Sequence, residues 1–230
     1  MATVLITGAN RGIGLELSKQ YLQAGDRVLA YCRHPADAAD LNTAAAASGG
    51  KLTVHAMDVG DGASITAGAK AADGAPVDIL INNAGILGGT NQALEDIDFD
   101  SWMEAFRVMT IGPFRVVQAL LPNLRAAGGA KIMTVTSQLA ASTWPFGGTY
   151  AYSSAKAGVN KVMQILAKDL KGDNIIAGMI HPGWVKTDMG GPGADITPAE
   201  SASGIRKVIA DLRAEDSGKF YKWNGDIHPW

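Results

Sequence analysis

A tyrosine and a lysine stand four residues apart in this sequence, as Tyr152 and Lys156. On a helix, side chains at this spacing lie on one face, so the Tyr152 hydroxyl and the Lys156 ammonium are expected to serve the same cleft. A tyrosine phenol ordinarily has a pKa of about 10, and a nearby cation lowers that pKa by favouring the ionised form. The pair is a candidate for proton transfer, although Tyr and Lys at this spacing also occur as an ordinary surface pair.

Ser137 is a second candidate, because it follows the apolar segment Lys131–Thr136, which is a predicted strand. Its hydroxyl can hydrogen-bond a substrate carbonyl oxygen on which negative charge builds up. The alternative is an ordinary turn serine. No histidine and acid accompany it as in a hydrolase triad, and the G-x-S-x-G motif is absent, so we expect it to polarise a carbonyl and not to attack one.

The segment Thr7–Gly14 reads TGANRGIG and joins the first predicted strand to the first predicted helix. Glycines let the backbone turn tightly and approach a pyrophosphate, whose charge the helix N-terminus then meets. The spacing G-x-x-x-G-x-G differs from the G-x-G-x-x-G fingerprint, and a glycine cluster alone can be a plain strand-to-helix turn. Its position between a strand and a helix favours a dinucleotide site.

The end of the second predicted strand indicates which dinucleotide is bound. NAD-selective sites hold the ribose 2′-hydroxyl with an acidic residue about 20 residues beyond the glycines. Here Arg33 and His34 stand there instead, and the one nearby acid, Asp37, is expected in the next helix. Arg33 and Arg11 can clamp a 2′-phosphate, which predicts NADP(H); the alternative is that both are solvated surface arginines.

The segment Asn82–Gly85, which reads NNAG, ends the fourth predicted strand. Asparagines at such a position can cap backbone groups or hold a neighbouring strand. The segment can also form a wall of the cofactor site. We expect it to do both.

Short apolar segments alternate with longer ones rich in Ala and Leu, which is typical of βαβ units around a mostly parallel sheet. Strand interiors such as Val4–Ile6 are apolar without alternation, so helices are expected on both faces. The predicted fold is a doubly wound, seven-stranded α/β (Rossmann) fold, which binds ligands at the carboxyl ends of its strands. The predicted strands are Thr3–Thr7, Arg27–Tyr31, Lys51–Met57, Val77–Asn82, Lys131–Thr136, Asn174–Ile180 and Lys219–Tyr221. The predicted helices are Gly12–Ala24, Ala36–Ala47, Ala63–Ala72, Phe99–Ala127, Tyr150–Leu170 and Pro198–Leu212.

Length and composition bound the remaining possibilities. With 230 residues, 47% hydrophobic and 18% charged, the chain is expected to form one domain over residues 1–230. A net charge of −2 without a long Lys/Arg run argues against nucleic acid and membrane surfaces, so the expected partner is a small molecule. Cys32 is the only cysteine, and no signal peptide or apolar run of about 20 residues is visible, which predicts a cytoplasmic protein. No metal site is predicted.

Together these residues resemble the classical short-chain dehydrogenase/reductase family, over essentially the whole chain. The sequences of His181–Met189 and Gly147–Tyr152 are similar to those of the branch that contains C-factor and sniffer-type carbonyl reductases. The features that carry the family resemblance are, in chain order, the glycine motif, Asn82–Gly85, Ser137, Tyr152 with Lys156, and Pro182–Thr187.

The resemblance implies that Tyr152 protonates a substrate carbonyl oxygen, that Lys156 lowers the pKa of Tyr152 and holds the nicotinamide ribose, and that Ser137 steadies the oxygen. It also implies a homodimer or homotetramer through the long helices Phe99–Ala127 and Tyr150–Leu170. Asp58 and Val59 would flank the adenine. The residues assigned to the cofactor are Gly8, Asn10, Arg11, Gly12, Ile13, Gly14, Arg33, Asp58, Val59, Asn82, Ala84, Gly85, Tyr152, Lys156, Pro182, Gly183, Val185 and Thr187.

One position departs from the family pattern. Met109 stands where the family usually has an asparagine that supports a water in the proton relay, so the fourth member of the usual tetrad is in doubt. Thr110 lies about 100° around the helix and is not an obvious substitute.

Three functions remain open at this point. The leading prediction is an enzyme that reduces an aldehyde or ketone with NADPH, because a protein that only binds the cofactor needs no phenol beside it. The alternatives are a cofactor-loaded signalling or scaffold module, which the C-factor resemblance and Met109 keep open, and an NAD-dependent alcohol dehydrogenase. The loops Ala140–Thr149 and Met189–Pro198 predict an apolar, movable cover over the substrate.

Overall fold

Seven strands form one sheet in the computed structural model, which describes residues 1–230. Every pairing between neighbouring strands is parallel. The strands are β1 (Thr3–Thr7), β2 (Arg27–Cys32), β3 (Leu52–Ala56), β4 (Ile79–Asn82), β5 (Lys131–Val135), β6 (Ile176–His181) and β7 (Phe220–Lys222). Their order across the sheet is β3-β2-β1-β4-β5-β6-β7.

Helices cover both faces of this sheet. They are α1 (Gly12–Gln23), α2 (Ala39–Ala46), α3 (Gly62–Lys70), α4 (Phe99–Phe106), α5 (Gly112–Ala126), α6 (Tyr150–Asp169) and α7 (Pro198–Asp211). Leu5 of β1 packs in the core beneath α3 to α6, whereas its neighbours Val4 and Ile6 pack in the core beneath α1, α2 and α7. The doubly wound fold predicted from the unalternating strands is therefore confirmed. None of the helices combines the length and the apolar character needed to cross a membrane.

The strand order places the predicted motifs together. β1 lies between β2 and β4, so the chain leaves β1 toward one side of the sheet and later returns to the other side. The gap between β1 and β4 is thus the topological switch point, where ligands bind in open α/β sheets. The glycine-rich turn follows β1 and Asn82–Gly85 completes β4, so both motifs face this gap.

The predicted helix Phe99–Ala127 is not one regular helix. α4 ends at Phe106, a π-helical turn spans Arg107–Ile111, and α5 begins at Gly112. Apolar residues continue through this turn, so their periodicity does not reveal it. Turns of this kind often occur at functional sites.

The predicted helix Ala36–Ala47 is also shorter than expected. α2 begins only at Ala39, and a short 3-10 turn, Pro35–Asp37, precedes it. Asp37 therefore lies in this turn and not in the helix, which corrects the prediction. The proline fixes its own backbone angle and has no N–H to donate, which suits the start of a tight turn.

Candidate active site

An open cleft of about 510 Å³ lies at the carboxyl edge of the sheet, over the junction of β1 and β4. Its walls are the glycine-rich turn, the end of β2, the segments after β3 and β4, the first turns of α6 and the loop after β6. Most of the predicted site residues line it. They are Gly8, Asn10, Arg11, Gly12, Ile13, Arg33, Asp58, Val59, Ala84, Gly85, Tyr152, Lys156, Pro182 and Thr187.

Four predicted cofactor residues lie behind these walls. Asn82 is buried at the end of β4, and Val185 is buried in the loop after β6. A Cβ on Gly14 would lie 2.2 Å from a backbone oxygen of the glycine-rich turn, and one on Gly183 would lie 2.5 Å from the side chain of Ile196. These residues support the walls of the cleft through close packing.

Asn83 connects the two strands at the switch point. Its Nδ2 donates to the carbonyl oxygens of Thr7 at 3.1 Å and Gly8 at 3.0 Å. Gly8 has a φ of +65°, and a Cβ there would lie 2.8 Å from the Cα of Ala84, so only glycine fits. Asn83 thus fills the strand-holding role predicted for Asn82–Gly85 at the switch point, and Asn82 holds β5 by donating to the Thr134 hydroxyl at 3.4 Å. Asn83 also lines the cleft and was not among the predicted site residues.

Two arginines and two acids, all solvent-exposed, line the cleft. Arg11 and Arg33 both line it, but Arg11 is already paired with Asp188 across a gap of 2.5 Å. This pair is solvent-exposed and joins the glycine-rich turn to the loop after β6. Asp37 also reaches the cleft from its short turn. Sequence reasoning missed Asp188, because no local motif relates it to Arg11.

Tyr152 and Lys156 lie on one face of α6, as predicted from their spacing. Lys156 is 5% exposed, and its ammonium donates to the carbonyl oxygen of Val135 at 2.8 Å. The ammonium nitrogen is 5.8 Å from the centroid of the Tyr152 ring. Burial disfavours the charged form and lowers the pKa of Lys156 to about 8.

The pKa of Tyr152 is raised from its ordinary value, mainly because burial disfavours the phenolate. A side-chain hydrogen bond with Ser137 acts in the opposite direction and lowers the pKa. The net direction differs from the lowered pKa that the sequence predicted, because desolvation outweighs the stabilisation of the anion. A phenol in this state holds its proton at neutral pH and can donate it.

Ser137 is 8% exposed and lies beside Tyr152 at the end of β5. Its hydroxyl accepts a hydrogen bond from the backbone N–H of Leu139 at 3.1 Å, which starts the 3-10 turn Gln138–Ala140. The hydroxyl of Thr136 accepts a hydrogen bond from the Ser137 N–H. Ser137 and Tyr152 are therefore brought together, as the sequence predicted.

Met109 lies in the π-helical turn and is 1% exposed. Its sulfur and the Lys156 ammonium both face Gly85, at 3.7 Å and 3.6 Å from the position that a Cβ on Gly85 would take. Thr110 points elsewhere and donates to the carbonyl oxygen of Ala155 at 2.7 Å. Met109 thus fills the space beside Lys156, and Thr110 does not replace the missing amide.

Comparisons with known proteins show which sequences and folds this chain is similar to. The sequence model of the family described as short chain dehydrogenase matches residues 2–195. C-signal of Myxococcus xanthus is 41% identical over 158 residues, which is 67% of this chain and 93% of that protein. The NADPH-bound carbonyl reductase from chicken fatty liver has a TM-score of 0.92 at 32% identity and covers 100% of this chain and 99% of its own. The carbonyl reductase Sniffer of D. melanogaster has a TM-score of 0.94 at 27% identity, with 100% of both chains covered.

Proposed function

Because this chain belongs to the short-chain dehydrogenase/reductase family, in the branch of C-factor and sniffer-like carbonyl reductases, we propose that it reduces an aldehyde or ketone to an alcohol with NADPH. The observation that carries this proposal is that Tyr152 and Lys156 line one wall of the cleft and that Ser137 is hydrogen-bonded to Tyr152 behind it. A protein that only binds a dinucleotide needs no protonated phenol there.

Each of the three side chains has one task in the proposed mechanism. Tyr152 donates its phenolic proton to the carbonyl oxygen as the carbonyl carbon gains a hydride, which NADPH supplies when bound. The Ser137 hydroxyl hydrogen-bonds the same oxygen while negative charge develops on it. The Lys156 ammonium stabilises the phenolate that remains on Tyr152, because an opposite charge nearby favours the ionised form.

Three observations support a nicotinamide dinucleotide as the cofactor. The glycine-rich turn opens α1 and lines the cleft, so its backbone N–H groups can meet a pyrophosphate. Asp58 and Val59, which the family resemblance assigns to the adenine, line the cleft. The segments Ala84–Gly85 and Pro182–Thr187 form the two sides between which the remainder of the cofactor would lie.

NADPH is proposed over NADH because Arg11 and Arg33 both line the cleft. A guanidinium group suits phosphate oxygens, and the 2′-phosphate is the group that distinguishes the two cofactors. Asp37 also lines the cleft, and this observation keeps an NAD-dependent alcohol dehydrogenase as the runner-up. Comparison of the Kd values for NADH and NADPH by titration distinguishes an NADPH-dependent reductase from an NAD-dependent dehydrogenase.

We also propose a homodimer or homotetramer that forms through α4, α5 and α6. Large apolar side chains are exposed on these helices, among them Phe99 and Met103 at 69% each and Ile165 at 49%. Exposed apolar patches of this kind mark association surfaces. Sedimentation that finds only monomer would remove this part of the proposal.

The experiment that tests the proposed activity is a panel of aldehydes, ketones and diketones, assayed by the consumption of NADPH. Turnover of at least one member, lost in Tyr152→Phe, is the expected result. The likeness to C-signal favours one other candidate, a cofactor-loaded signalling module. That candidate becomes the better one if NADPH binds and no carbonyl is reduced.

A further inference from the structure

The chain folds back on itself after β7. Residues 226–230, called here the return segment, run antiparallel to β7, with a bridge between Tyr221 and Ile227. The Lys222 N–H donates to the carbonyl oxygen of Asp226 at 2.8 Å, and the His228 N–H donates to that of Phe220, also at 2.8 Å. The return segment is therefore fixed against the edge strand of the sheet.

Aromatic rings hold this segment in place. The His228 ring is 3% exposed and stacks on Phe220, with the ring centroids 4.5 Å apart. His181 approaches His228 edge-on at 5.8 Å, and Trp230 lies 5.8 Å from Phe220 on a tilted plane. Aromatic pairs at these separations contribute beyond the area that they bury. Because His181 precedes Pro182, the cluster also adjoins a wall of the cleft.

The far end of the return segment contacts the loop that follows Ser137. The backbone N–H of Thr143 donates to the carbonyl oxygen of Trp230 at 3.2 Å. The other backbone hydrogen bonds of residues 141–146 are local, for example that from Trp144 to Ala141 at 3.0 Å. Residues 142–148 are all exposed, so few other contacts determine where this loop lies.

We propose that Trp230 is a positioning residue that fixes the substrate loop, residues 141–149, beside Ser137 and thereby selects bulky apolar carbonyl compounds. This inference rests on the proposed function. The loop carries Trp144 and Phe146, which are 45% and 64% exposed and can cover an apolar substrate. A small substrate makes little contact with the loop, whereas a large one depends on the position of these two rings.

The test compares Trp230→Ala with wild type on the best aromatic aldehyde of the panel and on propanal. For the aromatic aldehyde we expect KM to rise about tenfold, or about 1.4 kcal/mol, with kcat within about threefold. For propanal both constants should stay within about twofold. Trp230→Phe keeps an aromatic ring on Phe220 and should restore most of the selectivity. Ile227→Ala, an exposed position of the same segment, is the matched control and should behave as wild type.

Amide hydrogen exchange supplies a readout that needs no turnover. In Trp230→Ala the amide of Thr143, which donates to the carbonyl oxygen of Trp230, should exchange about tenfold faster, while the hydrogen-bonded amides of the loop 186–197 should not change. Unchanged exchange in the substrate loop would overturn the inference. Faster exchange with an unchanged ratio of the KM values for the two aldehydes would overturn the claim that Trp230 selects bulky substrates. If wild type reduces no carbonyl, the proposed function and the selectivity both fail, and exchange alone decides whether Trp230 positions the loop.

Discussion

On the side of the cleft near β1 and β4, the geometry comes from backbone and short polar side chains, as in the contacts of Asn83 with Thr7 and Gly8. On the side near β5 and β6, it comes from contacts that join distant segments, as where the Thr143 N–H donates to the carbonyl oxygen of Trp230. We call these the nucleotide side and the reaction side. The residues of the nucleotide side belong to short sequence motifs, whereas the contacts of the reaction side join residues that no motif relates.

Replacement of Tyr152 by phenylalanine should separate the two sides most sharply. Tyr152→Phe removes the proposed proton donor and little else, so kcat should fall at least about 100-fold. The Kd for NADPH should stay within a few-fold, since the nucleotide side is untouched. Steady-state kinetics and a fluorescence titration measure both quantities. Turnover near that of wild type would show that the reaction side is wrongly assigned.

The pH dependence of reduction tests the electrostatics of the reaction side. Lys156 has a pKa of about 8 and is charged below that pH, whereas the pKa of Tyr152 is raised and its phenol stays protonated there. kcat/KM should therefore be level below about pH 8 and should fall above it, as Lys156 loses its charge, by up to about tenfold per pH unit. Lys156→Arg keeps its charge at higher pH, so its residual activity should lack this decline. A level profile in wild type up to pH values near the ordinary lysine pKa would contradict the assignment.

The sequence predicted more of the nucleotide side than of the contacts between distant residues. The fold and most of the nucleotide side followed from apolar strands, the glycine spacing and the NNAG segment, because each reflects a local backbone requirement. The π-helical turn at Arg107–Ile111 did not, since apolar residues continue through it. The contacts of Asp188 with Arg11 and of Trp230 with Thr143 join residues far apart in the chain, and no spacing rule finds such pairs.

Replacement of Arg33 by alanine tests the nucleotide side alone. A charge-assisted hydrogen bond contributes about 1.5–3 kcal/mol. Because Arg33 is exposed, its bond to the 2′-phosphate should lie at the low end of this range, so the Kd for NADPH should rise roughly tenfold. The Kd for NADH and the kcat should not change. Arg11→Ala is the matched comparison and should have a smaller effect, because Arg11 is already paired with Asp188. If the ratio of the Kd for NADPH to the Kd for NADH were unchanged in Arg33→Ala, Arg33 would be only a surface residue.

Met109 lies where the two sides meet, because its sulfur and the Lys156 ammonium both face Gly85. The family asparagine acts by holding a water, and a backbone carbonyl can hold a water as well, so its loss need not carry the ~10²–10⁴-fold cost of a missing acid. The π-helical turn around Met109 changes the direction of its backbone groups, and methionine is flexible enough to fill the remaining space. We therefore expect Met109→Asn to change kcat by less than about tenfold, or about 1.4 kcal/mol of barrier, without altering the Kd for NADPH. Steady-state kinetics of both proteins on the best substrate of the panel measures this change. A gain above about 100-fold would mean that the natural protein is catalytically impaired, and a signalling module would then explain the chain better than a reductase.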